Sequence, residues 1–280
     1  MKAIVNRILH HSVVDGPGNR AVCFFQGCNY ACKYCHNPET ISICRNCGKC
    51  VKACPVGALK VISDRVVWRA EICCKCDSCI HVSPNLASPR VQQYSPQDIM
   101  DYIREDIPFI RGITTSGGEC SLRRDFLVEL FTLAKNEGLS TLMDSNGSYA
   151  YMQDNELMEV CDGVMLDVKA YNTEAHRKLT GKGSELVLMN AVELAKAGKL
   201  EEIRTVIVPN LLPDEETVDQ TTKLIAPYLK IKDIRYIIIA FRNICVRSPY
   251  CDELKTPNQE YLENLKTIAK NNGFNNIMII

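Results

Sequence analysis

The chain beyond residue 90 alternates between two hydrophobic patterns. Stretches with apolar residues on one helical face alternate with short apolar runs bounded by glycine and polar residues, which are typical of helices and strands respectively. The predicted strands are 112–116, 139–143, 163–166, 203–208, 234–240 and 277–280. The predicted helices are 95–106, 122–137, 155–160, 173–179, 185–197, 214–229 and 258–271. This alternation predicts parallel strands joined by right-handed crossovers.

One further buried strand is predicted earlier, at 21–26, and Gly27 ends it. With it, strand and helix repeat about six times, which falls short of the eight units of a closed barrel. The pattern therefore predicts an α/β fold, a partial (β/α)6 TIM-like barrel that is open on one side. Because residues 43–90 interrupt the pattern, we divide the chain into the start of the barrel at 1–42, an insertion at 43–90 and the remainder of the barrel at 91–280.

Polar residues directly follow the predicted strands. Because the carboxyl ends of parallel strands meet at one rim, where barrel folds place their chemistry, these residues form a candidate site. They are Gly117, Gly118, Glu119, Asp144, Ser145, Asp167, Lys169 and Arg204. Ordinary structural roles remain open for several of them. The Gly-Gly-Glu stretch can be a loop turn, Asp144 a helix cap or turn residue, Lys169 a solvated charge and Arg204 part of a salt bridge inside the barrel.

A loop with three thiols follows the first of these strands. Cys28, Cys32 and Cys35 have the spacing C-x3-C-x2-C, with Tyr34 just before the last. Three thiols are one short of the four that usually hold a [4Fe–4S] cluster. An iron without a protein ligand can bind another molecule, as catalytic metal sites do at their open position. A structural zinc site is the alternative, but it needs four ligands, and His36 is poorly placed as the fourth because it directly follows Cys35.

The insertion carries a second cysteine pattern, which occurs twice. The first run has the spacing C-x2-C-x2-C-x3-C-P of bacterial ferredoxins, whose fourth cysteine ligates the other cluster of a pair. The run returns 29 residues later, with serine in place of its fourth cysteine. This repeat predicts a bacterial-ferredoxin-like domain with two clusters. By the swapped-ligand rule, one cluster takes Cys73, Cys76, Cys79 and Cys54, and the other takes Cys44, Cys47, Cys50 and position 83. A pair of zinc sites is the alternative, although zinc sites rarely have this spacing.

Position 83 is serine and is the one break in the repeat. Three outcomes remain open for the cluster at this position. It can be a [3Fe–4S] cluster, or a four-iron cluster completed by Ser83 Oγ or by an outside ligand. It can also recruit Cys74, the extra thiol beside Cys73.

Composition supports iron–sulfur chemistry in a reducing compartment. The chain of 280 residues has 16 cysteines, most of them in the spaced sets between residues 23 and 79. In a reducing cytosol such sets indicate metal or iron–sulfur ligands, whereas Cys23, Cys161 and Cys245 can be small buried residues. A formal net charge of zero gives no basic surface for nucleic acid. No apolar run approaches the ~18–20 residues of a membrane span, and the first residues lack a secretory signal. We therefore expect a cytoplasmic protein without nucleic-acid or membrane partners.

The three-thiol loop resembles that of the radical S-adenosylmethionine (SAM) enzymes. The resemblance implies that a [4Fe–4S] cluster on Cys28, Cys32 and Cys35 binds the amino and carboxylate groups of SAM through its open iron. It also implies that Tyr34 belongs to the SAM site, and that an electron from the cluster cleaves SAM to methionine and a 5′-deoxyadenosyl radical. The Gly117–Glu119 stretch is similar to the Gly-Gly-Glu element of these enzymes, which contacts the SAM amino group.

Two other rim motifs resemble those of the activases of glycyl radical enzymes. They are Asp144-Ser145-Asn146-Gly147 and Asp167-Val168-Lys169. The resemblance implies that both aspartates, the hydroxyl of Ser145 and the SAM carboxylate enclose a monovalent cation, and that Lys169 pairs with the carboxylate. A cation would screen the repulsion among these carboxylates. Arg204 matches an arginine of the family.

Nearly the whole chain resembles a pyruvate formate-lyase-type activase with two auxiliary clusters, and the length of its insertion is most similar to the YjjW-type branch. The motifs include Val14-Asp15-Gly16-Pro17-Gly18 near the start of the chain and His36-Asn37-Pro38-Glu39 after the three-thiol loop. The resemblance implies a glycyl radical enzyme as protein substrate, a flavodoxin or ferredoxin as electron donor, and an anaerobic host. A radical SAM enzyme that acts on a small molecule or another peptide, and an electron carrier without catalysis, remain as alternatives.

Overall fold

The computed structural model describes residues 1–244 and 246–280, so the expectation that Cys245 is a small buried residue lies outside the described residues. Eleven strands occur in the described part of the chain. They are β1 Ala3–Ser12, β2 Arg20–Phe25, β3 Leu59–Ile62, β4 Arg65–Trp68, β5 Gln92–Tyr94, β6 Gly112–Gly117, β7 Ser140–Ser145, β8 Gly163–Asp167, β9 Leu200–Ile207, β10 Arg235–Ala240 and β11 Ile277–Ile279.

Nine of these strands form one mostly parallel sheet. Its order is β11-β10-β9-β8-β7-β6-β2-β1-β5. All pairs from β2 to β11 are parallel, and β1 pairs antiparallel with both β2 and β5. Because β11 and β5 are the two edges, the sheet stays open. The prediction of an open, mostly parallel α/β fold is confirmed.

Ten α-helices accompany the strands in the described residues. They are α1 Lys49–Ala53, α2 Ser78–His81, α3 Pro96–Tyr102, α4 Arg124–Asn136, α5 Asn155–Val160, α6 Thr173–Thr180, α7 Glu185–Lys196, α8 Asp214–Ile225, α9 Tyr250–Glu253 and α10 Gln259–Asn271. Ser95 caps α3, because its Oγ accepts the backbone N–H of Asp98 at 3.1 Å. This helix ends at Tyr102 instead of residue 106, and residues 104–109 continue as a 3-10 helix.

The core lies where the helices cover the sheet. The rings of Phe25 on β2 and Phe126 on α4 meet edge to face with centroids 5.5 Å apart, a favoured aromatic geometry. At the amino ends of the parallel strands the guanidinium of Arg20 is fully buried, and it donates to Thr114 Oγ1 at 2.8 Å and to Ser140 Oγ at 2.9 Å. The carboxyl ends are left to carry the polar rim.

Residues 43–90 lie between β2 and β5 in the chain. They contain α1, α2 and the antiparallel hairpin of β3 and β4, which is not part of the large sheet. A small apolar cluster of Cys50, Leu59 and Cys79 lies at their centre. Among the described residues, no helix has the length and apolar content that a membrane crossing requires.

Candidate active site

The three-thiol loop leaves β2 at Gly27, whose φ of 104° is the left-handed conformation that glycine adopts freely. The loop is held to α6, because the N–H groups of Ala31 and Lys33 donate to the carbonyls of Thr180 and Leu179 at 3.1 and 3.2 Å. These carbonyls belong to the last turn of α6, which lacks intrahelical partners. The end of α6 therefore positions the loop.

The thiols of the loop lie in an apolar pocket. Cys32 is buried, Cys28 and Cys35 are partly buried, and the pocket is completed by Tyr30, Tyr34, Leu179, Val208 and Phe241. Burial raises the pKa of Cys28 to about 11 and that of Cys32 to about 11. Metal ligands are thiolates, so ionisation of these thiols requires a compensating cation in the pocket.

The pocket fits an iron–sulfur cluster. Its donors are three thiols, and Cys28 Sγ accepts the backbone N–H of Tyr30 at 3.4 Å, a type of contact that tunes cluster sulfurs. Tyr34 Oη and His36 Nε2 are buried beside the loop without a hydrogen-bond partner among the described residues. Because buried polar groups are normally paired, these two atoms are consistent with a bound group in the pocket. Cys28, Cys32 and Cys35 could hold it.

The two glycines of the rim motif pack against the loop itself. A Cβ on Gly117 would lie 2.2 Å from Phe25 N, and one on Gly118 would lie 2.2 Å from Gly27 O. The N–H of Gly118 donates to Phe25 O at 2.9 Å, and the N–H of Glu119 donates to Gly27 O at 2.9 Å. The glycines thus allow the end of β6 to lie directly against the start of the three-thiol loop.

Glu119 is almost fully buried and accepts several hydrogen bonds. Its Oε1 accepts from the N–H and Oγ of Ser121 at 3.1 and 2.6 Å and from Ser145 Oγ at 2.7 Å, and its Oε2 accepts from Asn146 N at 2.8 Å. Burial raises the pKa of Glu119, and these hydrogen bonds act against that rise. In this arrangement Glu119 joins the ends of β6 and β7.

Asp144 and Asp167 bring two carboxylates to neighbouring strand ends, each beside a cation. Asp144 accepts from Ser116 Oγ at 2.9 Å and lies 3.4 Å from Arg204 Nη1. Lys169 Nζ lies 2.7 Å from Asp167 Oδ2 and 5.8 Å from the centre of the Tyr34 ring. Burial raises the pKa of Asp144 to about 6; Arg204 opposes this shift and Asp167 adds to it. The two carboxylates therefore repel one another.

The ordinary roles considered for Asp144 and Lys169 do not match their surroundings. Asp144 lies on β7 and caps no helix, and Lys169 is only 9% exposed. Arg204 forms the interior salt bridge that was the alternative for it, because Nε lies 2.9 Å from Glu202 Oε2 in addition to the contact with Asp144. The rim thus combines the carboxylates of Glu119, Asp144 and Asp167 with the cations of Lys169 and Arg204.

Ser145 points away from Asp144, since successive strand residues face opposite sides. Its hydroxyl is hydrogen-bonded to Glu119 and to Tyr151 Oη. The structure thus brings Ser145 to Glu119 instead of to Asp144, whereas Asp144 lies beside Arg204 and Asp167 beside Lys169.

Three residues that the sequence analysis left without a role support the site. Asn146 Nδ2 lies 3.8 Å from Cys28 Sγ and 3.0 Å from Asn29 Oδ1, so it joins β7 to the three-thiol loop. Asn190 on α7 donates to the carbonyls of Gly147 and Tyr149 at 2.8 and 2.6 Å. Tyr151 is fully buried beneath Ser145. Asn146 adjoins Asp144 in the sequence, but only the tertiary fold reveals the other two.

The insertion contains two cavities, each with about 290 Å³ of empty space that is partly open to solvent. The first is lined by Cys54, Cys73, Cys74, Cys76 and Cys79, together with Arg90. The second is lined by Cys44, Cys47, Cys50, Cys79 and Ser83. Within the described residues, no three His, Cys, Asp or Glu side chains converge on a single metal ion. Each cavity instead brings five potential donors together, namely five thiols in the first and four thiols with the Ser83 hydroxyl in the second.

Several thiols of the insertion accept backbone hydrogen bonds, as Cys28 does in the barrel. Cys44 Sγ accepts from Asn46 N at 3.4 Å, and Cys54 Sγ accepts from Ala58 N at 3.2 Å. At Cys73, burial acts to raise the pKa, but the backbone N–H of Lys75 and the nearby guanidinium of Arg90 leave it lowered. The donor sets of both cavities fit iron–sulfur clusters, whose sulfur ligands are commonly hydrogen-bonded.

Known proteins resemble this chain along its length. Residues 22–225 match the family model described as the Radical SAM superfamily. A trans-4-hydroxy-L-proline dehydratase activating enzyme of Clostridioides difficile is 28% identical over 300 aligned positions, which cover 98% of each chain. A pyruvate formate-lyase-activating enzyme of Streptococcus mutans is 32% identical over 225 positions, covering 76% of this chain and 68% of the relative.

A solved structure shares the fold. QueE from Escherichia coli superposes with a TM-score of 0.54 at 12% identity, covering 100% of this chain and 94% of the other. This likeness concerns the fold alone, whereas the family match and the curated relatives concern the sequence. Together with the three-thiol loop at the polar rim, they show that this chain belongs to the radical SAM superfamily and, within it, to the activating enzymes of glycyl radical enzymes.

Proposed function

We propose that this protein cleaves SAM reductively and removes a hydrogen atom from one glycine of a partner glycyl radical enzyme, which leaves a glycyl radical in the partner. The observation that carries the proposal is the position of the Lys169–Asp167 pair, with Lys169 Nζ 5.8 Å from the ring of Tyr34 in the three-thiol pocket. A charged rim beside one buried and two partly buried thiols is suited to a ligand that is both ionic and bound to a cluster. The curated relatives support the class of partner.

Cys28, Cys32 and Cys35 would hold a [4Fe–4S] cluster, which when bound and reduced supplies the electron that splits the SAM carbon–sulfur bond. The resulting 5′-deoxyadenosyl radical takes the glycine hydrogen, so 5′-deoxyadenosine and methionine are the products. The protein contributes orientation and charge. Lys169 would pair with the SAM carboxylate, and Asp144 and Asp167 would bind a monovalent cation beside that carboxylate.

Glu119 would act at the SAM amino group as part of a rigid unit. Its oxygens are held by Ser121, Ser145 and Asn146, so a ligand ammonium would share an acceptor that is already oriented. A preoriented carboxylate loses little freedom on binding. Gly117 and Gly118 keep this unit against the three-thiol loop.

The insertion would carry two auxiliary iron–sulfur clusters that deliver electrons from a flavodoxin or ferredoxin. Cys54, Cys73, Cys76 and Cys79 would ligate one of them, and Cys44, Cys47 and Cys50 the other. The two cavities support this proposal, because the first is lined by all four cysteines of one set and the second by the three of the other, together with Cys79. The open sheet edge leaves a side of the barrel from which a loop of a protein substrate could enter.

The proposal is tested with a glycyl radical enzyme encoded beside this chain and grown on α-deuterated glycine. The reduced activase, SAM and this partner are mixed without oxygen. We expect deuterium in the 5′-deoxyadenosine and a glycyl radical signal in the electron paramagnetic resonance (EPR) spectrum of the partner. The signal should be a doublet when the glycine is unlabelled, and the doublet should collapse to a narrow signal when the remaining α-hydrogen is deuterium. SAM cleavage that yields neither, with every candidate partner, would contradict the activase function and favour another substrate.

A further inference from the structure

The two halves of the insertion share their backbone as well as their cysteine spacing. Three pairs of residues 29 positions apart adopt positive φ angles: Asn46 (56°) and Lys75 (55°), Gly48 (72°) and Asp77 (60°), and Gly57 (63°) and Leu86 (55°). Such angles are uncommon for residues other than glycine. Their recurrence at one offset shows that both halves follow the same path.

The shared path extends through the position where the cysteines differ. In the first half, Gly57 N donates to Cys54 O at 3.3 Å, and in the second half Leu86 N donates to Ser83 O at 3.1 Å. Ala58 and Ala87, also 29 positions apart, are each 1% exposed. Ser83 therefore occupies the position of Cys54.

The two candidates for the fourth ligand, Ser83 and Cys74, line different cavities. Ser83 lines the cavity that contains Cys44, Cys47 and Cys50. Cys74 lines the other cavity and is exposed. The extra thiol thus lines the cavity of the set that already has four cysteines. Ser83 lines the cavity of Cys44, Cys47 and Cys50, to which Cys79 of the other set also contributes.

The hydroxyl of Ser83 is oriented by Asn85. Ser83 Oγ donates its proton to Asn85 Oδ1 at 3.1 Å, and Asn85 Nδ2 donates to Ile43 O at 3.2 Å. The second hydrogen bond fixes which end of the amide faces Ser83. Because the proton is directed to Asn85, the lone pairs of Oγ are free for another partner.

We propose that Ser83 Oγ is the fourth protein ligand of a four-iron cluster shared with Cys44, Cys47 and Cys50. This ligand assignment depends on the insertion holding two clusters, as in the proposed function. Oxygen is a harder ligand than thiolate and suits iron–sulfur iron less well. The iron at Ser83 is therefore the more easily lost of the irons in the insertion.

The test compares variants of the full chain reconstituted anaerobically with excess iron and sulfide, with SAM present to protect the barrel cluster. Iron content and EPR spin counts are measured before and after limiting ferricyanide. Ferricyanide takes one electron and one Fe²⁺ departs, which converts a [4Fe–4S]²⁺ cluster to an EPR-active [3Fe–4S]⁺ cluster. We expect about twelve iron atoms in the wild type and about eleven, with a [3Fe–4S] signal before oxidation, in Ser83→Ala.

Three further variants compare Ser83 with Cys54 and Cys74 as cluster ligands. Ser83→Cys should keep about twelve iron atoms and resist the oxidant that converts the wild type. Cys54→Ser, the matched change in the other half, should create a second oxidant-sensitive site. Cys74→Ala should match the wild type, since this thiol lies beside the complete set.

Identical iron content and spectra in Ser83→Ala and the wild type would overturn the assignment, and so would a lost iron in Cys74→Ala. In both cases the insertion would still hold two clusters. A different failure, in which every variant including the wild type binds only about four iron atoms, would also refute the auxiliary clusters of the proposed function.

Discussion

Two candidate cluster sites in this molecule have three of the usual four cysteine ligands, and the surroundings of the two sites differ. Next to Cys28, Cys32 and Cys35 lies a rim of charged groups that includes the buried Lys169 and the partly buried Asp167. Next to Cys44, Cys47 and Cys50 lies Ser83, held by an asparagine. The surroundings of each site, and not the absence of a fourth cysteine, therefore indicate what the site binds. We propose that the barrel site takes an ionic ligand and that in the insertion an oxygen takes the place of sulfur.

The charge around the two sites follows the same division. Lys169 lies at the barrel thiols and is paired with Asp167. In the insertion Arg90 lines the cavity that has four cysteines and forms an ion pair with Asp77. Arg45, at the cavity with Ser83, is exposed. Because hydrogen bonds and solvent exposure set cluster potentials, the two auxiliary sites should differ in potential.

The largest effect is expected from Cys32→Ala, which removes a thiolate of the barrel cluster. Deoxyadenosine formation with dithionite as reductant should fall to the background level, because the remaining two thiols cannot hold the cluster. Liquid chromatography of the products measures this. Cys251→Ala, a change at a half-buried free cysteine, is the control. Normal turnover in Cys32→Ala would contradict the ligand assignment.

Asp144→Asn should have the next largest effect and act on SAM binding. It removes one of the two carboxylates that would bind the proposed cation beside the SAM carboxylate. We therefore expect SAM affinity to fall by ~10–100-fold. The response to K⁺ or Na⁺ should be lost as well, which calorimetry in potassium, sodium and tetramethylammonium buffers measures. Asp162→Asn is the matched control, since Asp162 precedes β8 at the opposite end of the sheet and pairs with Lys135. Unchanged affinity and cation response in Asp144→Asn would refute the cation site.

A smaller effect is expected from Tyr151→Phe. The variant removes the hydroxyl that contacts Ser145, while Glu119 and Gly147 N still satisfy Ser145 Oγ. The loss of one hydrogen bond should weaken SAM binding by roughly 1 kcal/mol, or several-fold. Tyr149→Phe is the control, because Tyr149 Oη donates to Asp154 instead. If both variants bind SAM equally well, Tyr151 has no part in the site.

Asp214 is a buried carboxylate without an ion pair among the described residues. Its substitution is expected to have the smallest effect, which is on thermal stability. It is 2% exposed and its Oδ2 has no hydrogen-bond partner among the described residues. Burial raises its pKa to about 7; the N–H of Val208 opposes this shift and Glu215 adds to it. Tyr236 and Tyr261 are the other ionisable groups that feel its charge.

The sign of the pH effect follows from this raised pKa. Between about pH 4 and 7 the folded protein binds the proton and the unfolded chain does not, so stability falls as pH rises through this window. Asp214→Asn mimics the protonated form. We expect its Tm to equal that of the wild type near pH 4 and to exceed it by a few degrees at pH 8. Calorimetry would contradict this if the difference in Tm were the same at both pH values.

Local signals in the sequence predicted most of the parallel elements. Helix α5 has the predicted bounds, and in the structure Asp154 caps it by accepting Leu157 N at 3.1 Å. Strand β1 was missed, and its pairing explains why. It is irregular opposite β2, with register shifts after Val5 and Leu9, and its burial does not alternate regularly. A pattern of period two is therefore not visible.

The chemistry of the candidate site was predictable where it depends on spacing, as with the cysteine runs and the residues that follow each strand. The partners of those residues were not predictable, because they come from distant parts of the chain. Glu119 meets Ser145 only where β6 and β7 lie side by side. Likewise, only the tertiary arrangement separates Cys74 from the cavity that contains Ser83.

We propose that SAM binds the cluster at Cys28, Cys32 and Cys35, which lacks a fourth protein ligand, and that it does not bind the cluster at Ser83. Electron–nuclear double resonance on the reduced protein with ¹⁷O-carboxylate- and ¹⁵N-amino-labelled SAM tests it most directly. We predict coupling of both labels to a cluster in the wild type and in Ser83→Ala, and no coupling in Cys32→Ala. Absence of coupling in the wild type, or coupling that survives in Cys32→Ala and disappears in Ser83→Ala, would contradict the account.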